Sequence, residues 1–78
     1  MANQSKLEDL KQVLDNLFFD SKIVDNDATA YDISNNCIAC IRLNDDGTVK
    51  SWCATGPAAN YQIQGLLAAM KYWWKVED

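Results

Sequence analysis

The most reactive side chains of this 78-residue chain are three thiols, Cys37, Cys40 and Cys53, and the chain contains no histidine. Without an imidazole, a cysteine or serine nucleophile lacks its usual base, and no side chain ordinarily titrates near neutral pH. Acid–base catalysis would then need a deeply buried aspartate or lysine with a shifted pKa. A chain of this length buries only about 60% of its unfolded surface. We therefore predict a protein that is not an enzyme and has no catalytic residues.

Cys37 and Cys40 form a C-x-x-C motif, a spacing found in redox and metal sites. The β-branched residues around them predict a strand, in which residues three apart point to opposite faces with Cα atoms roughly 10 Å apart. A disulfide spans less than ~7 Å between Cα atoms, so this pair cannot close. No second C-x-x-C is present to complete a zinc site. We predict three reduced thiols and neither a metal nor another cofactor.

Hydrophobic periodicity predicts a helix at each end of the chain. Leu7, Leu10 and Leu14 recur at helical spacing after Ser5, which we assign as the N-cap, and Pro57 opens a second helix with its own apolar stripe. Alternating residues between the helices predict three strands. The predicted fold is a single α+β domain over residues 1–78, in the order α-β-β-β-α, with an antiparallel three-stranded sheet and two helices packed on one face. Whether residues 22–25 form a further strand is left open.

The turn signal Asn44-Asp45-Asp46-Gly47 predicts a β-hairpin with Gly47 in the left-handed conformation. A regular register from this turn places Leu43 opposite Val49, Arg42 opposite Lys50 and Cys40 opposite Trp52. Trp52 would then lie on the sheet face away from the helices, flanked by Arg42 and Lys50. Tryptophan and arginine are enriched at binding hot spots, so this face is a candidate binding surface. The alternative is a Trp52 packed across the sheet on its neighbours.

The order helix, three strands, helix resembles that of double-stranded-RNA-binding domains, and Gly56 with the Ala68-Ala69 pair is similar to residues of that family. The resemblance implies a phosphate-binding lysine cluster at the start of the last helix. Here the corresponding residues 57–62 carry no positive charge. Since phosphate contacts supply most nucleic-acid affinity, and the net charge of −4 repels nucleic acid, we expect no direct nucleic-acid binding.

Acidic residues cluster in the middle of the chain, where Asp20, Asp25, Asp27 and Asp32 fall within thirteen residues. A calcium loop counted from Asp25 would need glycine at its sixth position and glutamate at its twelfth, and neither is present. The carboxylates could instead imitate nucleic-acid phosphates and attract a basic protein surface. The alternative is a solvated loop that keeps a small protein soluble. Asp45 and Asp46 add two charges at the hairpin tip.

The last helix carries two further candidate surfaces. Tyr72, Trp73 and Trp74 are consecutive, so they cannot all face one core, and Tyr72 and Trp73 are candidate contacts for a partner. Small side chains on the same helix would allow close approach of a second helix, either the first helix or that of a second protomer. The predicted homodimer contact consists of Gly65, Ala68, Ala69 and Tyr72.

These observations favour a small acidic protein that acts by contact. We predict that it occupies and inhibits a larger protein or protein–nucleic-acid complex with a basic surface. In size, charge and lack of catalytic motifs it is similar to phage-encoded inhibitors such as anti-CRISPR proteins. The alternatives are a housekeeping adaptor that associates through the last helix, or an RNA-binding domain that uses Trp52 and Arg42. The predicted protein-binding residues are Asp25, Asp27, Asp32, Arg42, Asp45, Asp46, Lys50, Trp52, Tyr72 and Trp73.

The expected location is the cytoplasm. No signal peptide is visible at the start of the chain, and the odd number of cysteines fits a reducing compartment. The longest uninterrupted apolar run, Leu66–Met70, has five residues, far too few to span a membrane. We therefore expect no membrane association.

Overall fold

The computed structural model of the protein describes residues 4–73, including the side chains of residues 4–70. Two helices flank a four-stranded antiparallel sheet whose strands are hydrogen-bonded in chain order. The elements are α1 (Gln4–Leu17), β1 (Asp20–Val24), β2 (Asp27–Tyr31), β3 (Cys37–Leu43), β4 (Val49–Ala54) and α2 (Pro57–Trp73). The predicted α+β class, the antiparallel sheet and the two helices are confirmed.

The sheet has one strand more than the three predicted. The additional strand is β1, which pairs with β2 from Asp20 opposite Tyr31 to Val24 opposite Asp27. The sequence hides this strand because its buried inward position is Ser21, a polar residue, so the usual alternation of apolar and polar residues is missing.

Both helices pack on the same face of the sheet. The apolar stripe of α1 is buried as predicted, although the helix begins at Gln4, so Ser5 lies inside it. α1 packs against β1 and β2, and α2 packs against β3 and β4. The buried side chains of both helices and of the sheet form one core: Leu7, Leu10, Leu14, Ala28, Ala30, Ala39, Ile41, Leu43, Ile63, Leu66 and Met70. Neither helix within residues 4–73 is long and apolar enough to cross a membrane.

The predicted register of the β3–β4 hairpin is wrong beyond Leu43. Leu43 pairs with Val49 as expected, but a bulge follows, and Arg42 pairs with Ser51 rather than with Lys50. In a regular strand, Val49 and Trp52 would face opposite sides of the sheet. The extra residue that the bulge adds to β4 places them on the same side. Trp52 now pairs with the buried Ile41 and shares its helix-facing side. The sequence shows the turn but not the bulge, so every face assignment after it is reversed.

Ser21 connects the sheet to α1 through buried hydrogen bonds. The side chain is nearly inaccessible at 2% exposure, and its hydroxyl donates to Asp15 Oδ1 at 2.6 Å. Lys11 Nζ donates to the Ser21 carbonyl oxygen at 2.9 Å. The hydrogen bond from the Ser21 hydroxyl is the main reason that the pKa of Asp15 is lowered. Burial of Asp15 acts in the opposite direction, and the nearby Lys11 lowers the pKa by a smaller amount. A polar side chain in the core is thus compensated by specific partners.

We expect Ser21→Ala to lower the free energy of unfolding at pH 7 by about 1–3 kcal/mol, because it removes this buried hydrogen bond. A carboxylate whose pKa is lowered by folding stabilises the protein above its unfolded pKa, and this contribution is lost as the pH falls below about 4. The difference between Ser21→Ala and the wild type should therefore shrink at pH 3. Urea denaturation at pH 7 and pH 3 measures this difference in the free energy of unfolding. Ser51→Ala, at an exposed position, is the control. An equal difference at both pH values would contradict the linkage to Asp15.

Candidate protein-binding groove

The turn between β1 and β2 lies against the β3–β4 hairpin at one end of the sheet. Asn26 connects the two segments. Its side-chain Nδ2 donates to Asp45 Oδ1 at 2.9 Å, and its backbone carbonyl oxygen accepts a hydrogen bond from the Leu43 backbone N–H at 2.9 Å. Asp25 occupies the left-handed region with a φ of 54°, a conformation that aspartate and asparagine adopt more readily than most residues. Residues far apart in the chain therefore meet at this end.

An open groove of about 440 Å³ lies between these segments. Its walls come from the β1–β2 turn, the end of β3 and the start of β4. The lining residues are Asp25, Asn26, Asp27, Arg42, Leu43, Asn44, Asp45 and Lys50. Five of the ten predicted binding residues, Asp25, Asp27, Arg42, Asp45 and Lys50, are therefore brought together, whereas the sequence predicts them on three separate surfaces.

A bidentate ion pair lies in the groove. Arg42 Nε donates to Asp27 Oδ1 at 2.7 Å, and Arg42 Nη2 donates to Asp27 Oδ2 at 3.0 Å. The hydrogen bond from Arg42 lowers the pKa of Asp27 against the opposing effect of burial, and the same pair raises the pKa of Arg42. Both groups stay charged at neutral pH. They therefore provide fixed charges and a fixed shape rather than a proton donor or acceptor.

Asp46, also predicted to bind, is occupied by the hairpin turn. Its Oδ1 accepts hydrogen bonds from the backbone N–H of Thr48 at 2.9 Å and from the Thr48 hydroxyl at 2.6 Å. These bonds lower the pKa of Asp46. Gly47 adopts the left-handed conformation, as predicted, with a φ of 92°. Asp46 therefore holds the tip that carries Asp45 and does not line the groove.

Asp32 lies at the opposite end of the sheet, so the acidic cluster seen in the sequence is divided in space. Its Oδ1 accepts hydrogen bonds from the backbone N–H groups of Ser34 and Asn36, each at 2.9 Å. The bond from Asn36 is the main cause that lowers the pKa of Asp32. Asp20 is at the same end, since β1 begins there opposite Tyr31. Asp32 thus closes the turn before β3 and is separate from Asp25 and Asp27.

The predicted open-face site around Trp52 is not present. The bulge places Trp52 on the helix side, where the side chain is 37% exposed at the edge strand β4. The two cations expected to flank it, Arg42 and Lys50, line the groove instead. Asp27 is the acid beside Arg42. Trp52 is therefore an exposed aromatic side chain on the helix side of the sheet edge, apart from the groove.

The small residues of α2 are accessible. Gly65 and Ala68 are exposed, Ala69 is partly buried, and a Cβ added to Gly65 would meet no atom within 4 Å. Along residues 4–70, nothing therefore packs closely on Gly65. Tyr72 and Trp73 belong to α2, but their side chains lie outside the described part, as does Trp74. Binding through these residues and the homodimer through α2 remain predictions.

Three groove residues are not among the predicted binding residues, Asn26, Leu43 and Asn44, and of these Asn26 joins the β1–β2 turn to the hairpin. An asparagine in a turn ordinarily hydrogen-bonds its own backbone, so the sequence alone does not indicate that Asn26 contacts the hairpin. Only the pairing of β2 with both β1 and β3 brings this turn beside the hairpin. The missing signal was β1 itself. Within residues 4–73, no three His, Cys, Asp or Glu side chains form a group that could hold a metal ion.

Comparison of the chain with protein-family models, with curated proteins and with solved structures gave no match. The groove offers an open surface that carries both signs of charge, with Arg42 and Asp27 held in place by their ion pair. Such a surface is suited to recognising another molecule by charge and hydrogen bonding.

Proposed function

We propose that the protein is a non-enzymatic binding protein that attaches to the basic surface of a larger protein through the groove at the turn end of its sheet. The observation that carries this proposal is the convergence of three separate segments, the β1–β2 turn, β3 and β4, on one open groove lined by charged residues. Convergence of this kind is expected where a scaffold presents loops for recognition.

The charge of the groove favours a basic partner. Three carboxylates, Asp25, Asp27 and Asp45, face two cations, Arg42 and Lys50, which leaves a net charge of −1 (two minus three) in a chain of net charge −4. Arg42 is already bound to Asp27, so it offers little attraction to an acidic partner. Asp25 and Asp45 border the same groove and can face lysine or arginine side chains of the partner.

The partner class that fits this charge pattern is a protein that handles nucleic acid. Such a protein carries lysine and arginine in a groove that ordinarily binds phosphates. The carboxylates that border the groove can bind the same cations and exclude the nucleic acid. The protein would then act as an inhibitor by occupying this surface.

Affinity capture from the source cell tests this function. The bait is the wild-type chain, compared with a groove variant, Asp25→Asn with Asp45→Asn. Asparagine tolerates the left-handed backbone at position 25, and at position 45 it keeps the oxygen that accepts from Asn26. The matched control, Asp20→Asn with Asp32→Asn, removes the same charge at the other end of the sheet.

We expect the wild type and the control to capture the same nucleic-acid-binding protein, and the groove variant to lose it. The captured protein should be released by moderate salt and displaced by its own nucleic acid. If the groove variant captures the partner as well as the wild type does, the groove is not the site. If Tyr72→Ala then abolishes capture, the adaptor function through α2 replaces this proposal.

A further inference from the structure

Cys40 and Cys53 are direct cross-strand partners. The bulge between Arg42 and Leu43 shifts β4 by one residue, so Cys53, and not the predicted Trp52, lies opposite Cys40 on the open face of the sheet. Cys53 is exposed and Cys40 is partly buried, and both are free thiols. The C-x-x-C motif does not reveal this pair, because Cys40 and Cys53 are thirteen positions apart in the chain and only the bulge aligns them.

The backbone geometry brings the two cysteines within the range of a disulfide. The Thr55 backbone N–H donates to the Ile38 carbonyl oxygen at 2.8 Å, so Ile38 and Thr55 are a hydrogen-bonded pair of the ladder. Hydrogen-bonded and non-hydrogen-bonded pairs alternate along an antiparallel ladder, and Cys40 and Cys53 lie two residues further along each strand. They are therefore also a hydrogen-bonded pair. Such pairs have Cα atoms about 5.5 Å apart, and disulfides span about 4.4–6.8 Å. Hydrogen-bonded pairs hold their side chains further apart than the alternate pairs do. The resulting bond would therefore be less relaxed than a structural disulfide and easier to reduce.

We propose that Cys40 and Cys53 form a reversible disulfide between β3 and β4 when the protein meets hydrogen peroxide. The exposed Cys53 encounters the oxidant first. Burial raises the pKa of Cys40, so this thiol is less available as the initial nucleophile and acts as the resolving group. This proposal does not depend on the groove and would stand if the proposed binding function failed.

The reaction balances in two steps. The Cys53 thiolate attacks one oxygen of the peroxide, the O–O bond breaks, and hydroxide leaves, giving a sulfenic acid at Cys53. The Cys40 sulfur then attacks the Cys53 sulfur, an S–S bond forms, and the sulfenic hydroxyl leaves as water with the proton from Cys40. Overall, two thiols lose two electrons and two protons, and one hydrogen peroxide becomes two waters.

Cys37 is a natural internal control for this reaction. It is exposed and lies in the same strand as Cys40, but it pairs with Tyr31 of β2 and not with β4. Residues three apart in a strand are roughly 10 Å apart, too far for a disulfide between Cys37 and Cys40. If exposure alone decided which thiol reacts, Cys37 would be oxidised as readily as Cys53. If the cross-strand geometry decides it, the disulfide forms between Cys40 and Cys53.

The experiment treats the reduced full-length chain with hydrogen peroxide, blocks the remaining thiols with an alkylating reagent and measures intact mass. Trypsin then releases residues 23–42, which contain Cys37 and Cys40, and residues 51–71, which contain Cys53. Cys37→Ser and Cys40→Ser identify which cysteine is joined. Cys53→Ser, at an exposed position, serves as a second variant if Cys40→Ser does not fold.

We expect the wild type to lose two hydrogens and take up one alkyl group, with residues 23–42 joined to residues 51–71. Cys37→Ser should form the same link, Cys40→Ser and Cys53→Ser should not, and reduced glutathione should reverse it. A link that survives in Cys40→Ser, a disulfide only between two chains, or oxidation that stops at sulfinic acid on Cys53 would overturn the proposal. Resistance of the link to reduced glutathione would overturn its reversibility.

Discussion

Neutralising the groove with Asp25→Asn and Asp45→Asn is expected to slow association with the captured partner about tenfold at low ionic strength. Charges at the border of an interface act mainly on the association rate, because they steer the approach of the opposite charge. The dissociation rate should change far less. Above about 0.15 M salt the Debye length falls to about 8 Å, and the difference from the wild type should narrow. Stopped-flow mixing at several salt concentrations measures both rates.

The control variant, Asp20→Asn with Asp32→Asn, has the same net charge but keeps the groove intact. We expect it to associate within about twofold of the wild type, because its lost charges lie at the opposite end of the sheet. Equal slowing by both variants would mean that net charge alone drives the approach. In that case the groove has no special role in steering.

Ile41→Ala is expected to lower the free energy of unfolding by about 3 kcal/mol, the usual cost of truncating a fully buried isoleucine. Ile41 is completely inaccessible, and it lies in β3, between β2 and β4, under the helices. A domain of this length has a total stability of only about 4–12 kcal/mol, so the loss is a large share of it. Urea denaturation gives the value.

The same substitution at an exposed position provides the control. Ile33 is 78% accessible in the turn before β3, and Ile33→Ala should cost less than about 0.5 kcal/mol. A similar loss at both positions, or a loss below about 1 kcal/mol at Ile41, would contradict the core and the β3 register on which it rests.

The parts of the fold that the sequence predicts correctly carry strong local signals. The leucines of α1 recur at helical spacing, Pro57 opens α2, and the turn at Gly47 starts the hairpin where expected. The parts that it misses depend on interactions between distant residues. β1 has a polar Ser21 at its buried position, which only its bonds to α1 make stable. No local sequence pattern indicates that a buried polar side chain will find hydrogen-bond partners on another element.

The candidate site was predicted residue by residue but not as a site. Five of the predicted residues line one groove, whereas a single bulge turns Trp52 to the helix side, away from Arg42 and Lys50. A strand has a period of two, so one inserted residue reverses every following face. Asp32 and Asp25 are close in sequence and belong to opposite ends of β2 in space. Proximity along the chain therefore misled the prediction of an acidic patch.

The most direct test of the groove as the binding surface is an amide chemical-shift map of the isotope-labelled protein with its captured partner. We predict that the amides of residues 25–27 and 42–46 shift or broaden on binding. The amides of residues 32–36 and of the exposed side of α2, including Gly65 and Ala68, should keep their positions. Shifts confined to α2, with residues 25–27 and 42–46 unchanged, would contradict the proposed function and place the binding surface on the last helix.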